Sequence, residues 1–329
     1  MENKSLILLI VVLVIAVAGA GTAFFALNEA REASEDIPEI GGLESTVDRI
    51  DSYTPPYVYT GNPVSLIFEF ENDRTFYFGS DTGLNAEMET VVNRYHDPDA
   101  AFIPIGNFYT MDHEAGAFAA SLIEPSDYII PNHYASFPIL EQDPDDFFDE
   151  VEKYNLAAET KWMEMGETEE ITGVDTTWLG HGNWLFETPE GMRFLVDPQI
   201  EWNVNYPEEE WGDLEEFEQI DMIVLTHGHF DHTTIEDLQT WEEHFDPIVV
   251  APFELGLWLR DYLDSTTIPI NMGANISRDE IIGYKEGILG FEEEDARELE
   301  ERIPEDFNLH FINATHSSSG TPPEEDPVF

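Results

Sequence analysis

The chain has 329 residues, room for one large domain or two ordinary ones, and 42% of them are hydrophobic, which excludes global disorder. The absence of cysteine excludes disulfide scaffolds, zinc–thiolate sites and thiol nucleophiles. Lys+Arg number 13 against 70 Asp+Glu, a formal charge of −57, and a field of that sign repels phosphate backbones and excludes generic nucleic-acid binding.

Residues Leu6–Leu27 carry no charge. As a helix they span about 33 Å, enough for a bilayer core of about 30 Å. An uncleaved single-pass anchor over 1–27 is the leading reading. A cleaved secretory signal ending near Ala16-Val17-Ala18 and a buried helix are the alternatives. Lys4 before the segment places the N-terminus in the cytoplasm and the globular part outside. Residues 28–62 are polar, acidic and broken by Pro38, Gly41-Gly42 and Pro55-Pro56, so they read as a linker; Leu43, Val47 and Ile50 allow one short amphipathic helix within it.

From residue 63 onward the pattern alternates between strands and helices. Val64–Glu71 and Thr75–Gly79 form a predicted hairpin turned at Asn72-Asp73. Further strands are predicted at Ala100–Ile105, Tyr128–Pro131, Thr176–Leu179, Trp184–Glu187, Arg193–Val196, Met222–Thr226, Ile248–Ala251 and Leu309–Ile312. Helices are predicted at Leu84–Arg94, Glu114–Ile123, Pro144–Tyr154, Thr234–Phe245, Pro252–Leu263 and Glu292–Arg302. This is an α/β domain with helix-covered sheets.

The sharpest feature is Thr226-His227-Gly228-His229-Phe230-Asp231-His232, between a strand pattern and a helix pattern. Two residues apart in extended backbone, His227 and His229 point the same way and can share one metal. Asp231 and His232 lie where the chain turns into the next helix and can face a second. Imidazole suits zinc; imidazole with carboxylate suits zinc, manganese or iron. Asp81, His133 and His316 each follow a predicted strand, where α/β folds place their sites. Taken singly, each of the three also reads as a turn residue or a core histidine.

Together, Trp178-Leu179-Gly180-His181, Leu195-Val196-Asp197-Pro198, the histidine motif, His316-Ser317-Ser318-Ser319, Tyr77-Phe78-Gly79-Ser80-Asp81-Thr82-Gly83 and Ile130-Pro131-Asn132-His133-Tyr134 resemble the metallo-β-lactamase superfamily. Within it, the ascorbate-phosphate lactonase-like metal-dependent hydrolases are most similar. The order of the two halves is exchanged: 63–172 resembles the family's second half and 173–320 its first, with 321–329 as a tail. The resemblance thus implies a circularly permuted, four-layer αββα sandwich joined near Ile171-Thr172-Gly173. It implies His227, His229 and His316 on one metal ion, Asp231, His232 and His133 on a second, and Asp81 bridging the two around a shared hydroxide. Asp231 would also shuttle a proton, Asp197 would orient a ligand loop, and His181 would support the ligands, face the substrate or make a structural hydrogen bond.

Three places depart from the family pattern: Ser80 stands for a glycine, Asp112-His113 for Gly-Pro, and Asn275–Asp306 is a charged, helix-like insertion. His96, His244 and His310 sit in no motif and read as structural or solvated.

The expected function is a membrane-anchored, two-metal hydrolase of an ester, lactone or phosphodiester, its small-molecule substrate. The alternatives are a non-catalytic, metal-stabilised binding module, with the insertion plugging the pocket, and a swapped homodimer completing its sites between chains. The acids are dispersed along the chain, which points to a salt-adapted protein. Its unfolding midpoint is expected to rise between about 0.1 and about 3 M KCl as self-repulsion is screened, and a flat or falling trend refutes this.

Overall fold

Side-chain alternation along two sets of strands decides the architecture. The computed structural model describes residues 58–71, 74–140, 143–289 and 300–322. The expected membrane segment and most of the linker lie outside the described residues. Among the described residues, no helix is long and apolar enough to cross a membrane.

Strands β1 (Val58–Tyr59), β2 (Val64–Phe70), β3 (Arg74–Phe78), β4 (Ala100–Pro104), β5 (Tyr128–Asn132) and β6 (Glu159–Thr160) come first. Then come β7 (Thr168–Ile171), β8 (Val174–Trp178), β9 (Trp184–Glu187), β10 (Arg193–Val196), β11 (Met222–Val224), β12 (Ile248–Pro252) and β13 (Thr267–Ile270). The last are β14 (Asn275–Ser277), β15 (Asn308–Asn313) and β16 (Ser319–Gly320). The main helices are α1 (Met88–His96), α2 (His113–Ile123), α3 (Asp145–Glu152), α4 (Ile235–Phe245), α5 (Phe253–Leu259) and α6 (Arg278–Leu289).

Two seven-stranded sheets result, ordered β7-β8-β9-β10-β11-β12-β13 and β14-β15-β2-β3-β4-β5-β6. Each begins with three antiparallel pairings and ends with three parallel ones. The first sheet takes its strands in chain order. The second draws two from the end of the chain and five from its beginning, so β15 pairs with β2 along six residue pairs, Asn308↔Glu69 to Asn313↔Val64.

Period-2 alternation separates the faces. Phe186, Phe194, Val196, Val224 and Val250 of the first sheet face Phe68, Phe76 and Phe102 of the second. Phe194 stands 5.1 Å from Phe68, and Trp184 meets Phe102 edge-on at 4.8 Å, the offset and tilted geometries aromatic rings favour. The alternate residues, Leu185, Leu195, Ile223 and Val249, face outward onto Leu238 and Trp241 of α4 and Leu255 of α5. On the far side, Ala117, Ala120 and Ile123 of α2 and Phe147 of α3 join the core of the second sheet. The layers are helix, sheet, sheet, helix.

Some expected boundaries shift for local reasons. α1 starts at Met88 rather than Leu84 because the preceding loop bonds to itself and to another segment: Asn85 Oδ1 accepts from Glu87 N at 3.0 Å, and Thr82 Oγ1 accepts from Thr315 N at 3.0 Å. Val58–Tyr59, inside the expected linker, pairs with Ser319–Gly320, so a strand lies ahead of Pro63. Thr172-Gly173, with φ of +46° and +90°, is a tight turn joining β7 to β8 within one sheet. The chain therefore passes between sheets at residues 161–167, ahead of the 172/173 boundary read from sequence.

Part of the insertion lies among the described residues. Asn275–Ser277 is a strand, followed by α6, whose start is fixed by Ser277 N and Oγ donating to Glu280 Oε2 at 2.9 and 2.8 Å. Ser277 pairs with Asn308, the first residue of β15, so this described part leaves the sheet at the end opposite the carboxyl end of β15.

Candidate metal centre

Asp81, His133, His181, Asp197, the 227–232 loop and His316 all lie just past the carboxyl ends of strands: β3, β5, β8, β10, β11 and β15 respectively. Strands end there at one edge of the sandwich, where open α/β sheets leave a crevice. Hydrogen bonds tie the two sheets together around it. Val64 N donates to Thr226 O at 3.0 Å, Trp184 Nε1 to Asn132 Oδ1 at 2.8 Å and Gly228 N to Ser318 Oγ at 3.2 Å.

All seven residues expected as ligands are brought together. His227 Nε2 and His316 Nε2 lie 3.1 and 3.2 Å from His229 Nδ1. On the other side, His133, Asp231 and His232 converge, joined by His181. Asp81 lies between. Its Oδ1 is 2.9 Å from His133 Nε2 and 3.2 Å from His232 Nε2, and its Oδ2 is 3.3 Å from His316 Nε2 and 4.0 Å from His227 Nε2.

The donors fit metal ions better than they fit one another. Asp81 Oδ1, both ring nitrogens of His133 and His232 Nε2 are buried without an aligned hydrogen bond among the described residues. Buried polar atoms normally find partners. His133 Nε2, His232 Nε2 and Asp81 Oδ1 converge without an aligned hydrogen bond between them, which is what a cation between them satisfies.

The surrounding bonds set the tautomers. Asp197, 1% exposed, accepts from Thr226 N at 2.8 Å, Thr226 Oγ1 at 2.6 Å and His232 Nδ1 at 2.7 Å. With its one hydroxyl proton given to Asp197, Thr226 Oγ1 accepts from Ser80 Oγ at 2.7 Å and from His227 Nδ1 at 3.0 Å. Both His227 and His232 therefore carry hydrogen on Nδ1 and turn Nε2 to the centre. His181 Nε2 lies 3.3 Å from Asp231 Oδ2, its Nδ1 bonds to Ser136 Oγ, and its ring stands 3.9 Å from that of His133. Of its three expected roles, the geometry gives His181 the one of holding Asp231.

Close packing and backbone strain accompany this order. Ser80, His133, His181 and Asp197 have φ of +46°, +53°, +54° and +48°, a left-handed region costly for residues with a Cβ. Ser80 keeps the bond to Thr226 that a glycine would lack. A Cβ on Gly106 would sit 2.2 Å from His133 O, so only glycine lets that loop cover His133. Asp112, the other departure, caps α2 by accepting from Ala115 N at 2.8 Å. Thr226 stands first in the motif but was given no role from the sequence, and nothing local marks Ser136.

Charge follows position. Burial pushes His227 well below the ordinary histidine value and His229 and His181 down to about 4, and it lowers His316. These rings are neutral, the form that binds metal. Burial also acts to lower His232, but the Asp81 and Asp197 carboxylates outweigh it and raise His232 well above the ordinary value. Burial acts to raise Asp81, and His133 and His232 hold it well below the carboxylate range instead. Asp231 is likewise held low against burial, first by the His181 hydrogen bond.

These shifts fix a pH dependence for the metal-free protein. Histidines lowered by folding stabilise it above the unfolded value of about 6.5 and lose that contribution as pH falls. His232 runs the other way, stabilising at low pH and losing its effect as pH rises through its folded value. Below pH 6.5 the His232 contribution is already complete, so the four lowered rings set the slope and the urea midpoint of chelated protein in molar KCl is expected to fall from pH 6.5 to pH 4. A midpoint that rises over that window contradicts the assignment of neutral rings.

Sequence comparison agrees with this arrangement over part of the chain. Residues 175–303 match the beta-lactamase superfamily domain. The stretch contains Asp197, His227, His229, Asp231 and His232, whereas Asp81, His133 and His316 lie outside it. A UPF0173 metal-dependent hydrolase of Methanopyrus kandleri is 39% identical over 110 residues, covering 33% of this chain and 46% of that protein. Another, from Caldivirga maquilingensis, is 36% identical over 111 residues, covering 33% and 48%. The chain spans about half the length of the curated relatives it matches. Among solved structures, the metallo hydrolase Igni18 of Ignicoccus hospitalis is 34% identical, covering 33% of this chain and 47% of that one, with a TM-score of 0.29.

Proposed function

We propose that the protein is a metal-dependent hydrolase with a two-metal centre, zinc being the metal best suited to its imidazole-rich donors. The observation that carries this reading is Asp81. Its two oxygens face two separate sets of histidines, the disposition of a carboxylate that bridges a metal pair. His227, His229 and His316 would hold one ion, and His133, Asp231 and His232 the other. Two bound divalent ions would lower the pKa of a shared water and polarise the substrate oxygen.

The protein's own groups supply the rest. Asp197 orients His232 directly and His227 through Thr226. Asp231, kept ionised by His181, takes a proton from the attacking water and gives it to the leaving oxygen. The net charge of −57 disfavours polyanionic substrates, which favours a carboxylic ester or lactone over a phosphodiester.

Two further parts of the reading concern chain order and location. Taking β7 to β15 and then β2 to β6 runs through each sheet without interruption, which supports a circular permutation with its break between β15 and β2. The relatives are matched over about half their length, as one of two exchanged halves would be. The uncharged run Leu6–Leu27 supports a single-pass tether, and Lys4 ahead of it favours a globular domain outside the cytoplasm. The described part of the insertion starts at the sheet end opposite the site, which favours an open enzyme over a plugged binding module.

The test is metal analysis with turnover of an uncharged ester, a lactone and a phosphodiester. The expected result is two ions at this centre and hydrolysis that is lost on chelation, restored by zinc and abolished in His229→Ala. Chelation-insensitive turnover, or a loaded His229→Ala protein as active as the parent, refutes the reading.

A further inference from the structure

A second group of metal-type ligands lies at the other end of the second sheet. Glu69 is on β2, His310 on β15 and His96 is the last residue of α1. Glu69 pairs with Thr75 at the start of the strand region that leads to Asp81, which puts the two centres about 20 Å apart at the rise of an extended strand. His96 Nδ1 is 3.1 Å from Glu69 Oε1, and His310 Nε2 is 2.9 Å from Glu69 Oε2. The His96 and His310 rings meet edge to face at 4.5 Å. One ligand atom from each residue falls within 4.8 Å of the other two.

Hydrogen bonding alone does not satisfy this cluster. His310 Nε2 lies 2.9 Å from Glu69 Oε2, an acceptor, and 2.9 Å from Asn308 Nδ2, a donor. One ring nitrogen cannot donate to the first and accept from the second. Turning the Asn308 amide over moves the conflict, because Asn308 Nδ2 also lies 3.1 Å from Glu69 Oε2. A cation taking the His310 Nε2 lone pair removes it and leaves Asn308 donating to Glu69.

We propose that Glu69, His96 and His310 form a separate metal site, taking one zinc-like divalent ion with solvent in the fourth position. Two imidazoles and one carboxylate are a zinc donor set. The ion would clamp β15 and α1 to β2. Residues 69 and 310 are distant in the chain, so the clamp closes a long loop and stabilises the fold by restricting the unfolded chain.

The experiment uses the full chain, stripped with chelator and reloaded with zinc or cobalt. The expected content is three ions per chain in the parent, two in His96→Gln/His310→Gln, and one in Asp81→Ala. Glu69→Gln is a second, milder variant and is also expected to bind two. Both distal variants keep parental hydrolysis, and both lose the rise in thermal midpoint produced by the third zinc equivalent. Parent and distal variants binding the same number of ions, or a parental cobalt spectrum unchanged by Glu69→Gln, overturns the proposal. Failure of the two-metal reading would show instead in Asp81→Ala, so the outcomes are distinguishable.

Discussion

Asp81→Ala is expected to empty the site beneath the histidine motif and to lower turnover by about 1,000-fold or more, several kcal/mol of transition-state stabilisation. Asp81 is 2% exposed and its two oxygens serve opposite sets of rings, so no neighbouring group can replace it by a change of rotamer. Without it, the imidazoles of His133, His227, His232 and His316 face each other with no anion between them, and two cations brought there would repel one another. Asp81→Asn separates charge from shape: it fills the same volume but offers one carbonyl oxygen, so it is expected to lose most of the activity as well. The checks are metal content and steady-state turnover, with circular dichroism to confirm folding. A folded Asp81→Ala protein with parental metal content and turnover would remove the basis of the two-metal reading.

Asp197→Asn is expected to lower metal affinity and turnover by about 10- to 100-fold, the usual range for a group that orients a metal ligand. The side chain accepts three hydrogen bonds, and an amide nitrogen in place of Oδ2 cannot accept from both Thr226 Oγ1 and His232 Nδ1. His232 would then shed its Nδ1 hydrogen or turn, and the Thr226 hydroxyl would lose the acceptor that leaves it free to receive the His227 Nδ1 hydrogen. Asparagine tolerates the left-handed backbone at 197, so the change tests bonding rather than strain. Thr226→Val breaks only the His227 branch and is expected to cost less. Zinc titration with a competing chelator measures both, and equal affinities in all three proteins would show that Asp197 does not orient the ligands.

Local pattern carried much of this description. β9 and β10 fall where alternation placed them, and α2, α4 and the hairpin of β2 and β3 lie within a residue or two of expectation. Alternation works in β9 because Trp184 and Phe186 face one core and Leu185 the other. It fails for two-residue strands such as β1, β6 and β16, which are too short to hold a period and exist because a partner strand lies beside them. β7 was missed because Glu169 and Glu170 break the apolar signal, although Thr168–Ile171 pairs along its whole length with β8.

The candidate centre divides in the same way. His227, His229, Asp231 and His232 lie within six positions, so their convergence was readable from backbone geometry and residue type alone. The matching stretch 175–303 holds these four. Asp81, His133 and His316 were nominated only by their place after strands and by resemblance, since each is a single side chain separated from the motif by scores of residues. What joins them to it is the meeting of two sheets, a long-range packing event. His96 and His310 looked structural in the sequence because nothing near them is a ligand; it took the pairing of β15 with β2 to bring Glu69 between them.

The amino-acid order by itself determined the strand and helix periods, the acidic surface, the absence of thiol chemistry and the four-residue ligand motif, because each depends on neighbours within about ten positions. Tertiary structure alone decided which oxygen of Asp81 faces which histidines, which tautomers Asp197 and Thr226 impose, and that a second cluster closes around Glu69. Those outcomes depend on distances between segments far apart in the chain, which are set only when the aromatic faces of the two sheets pack together.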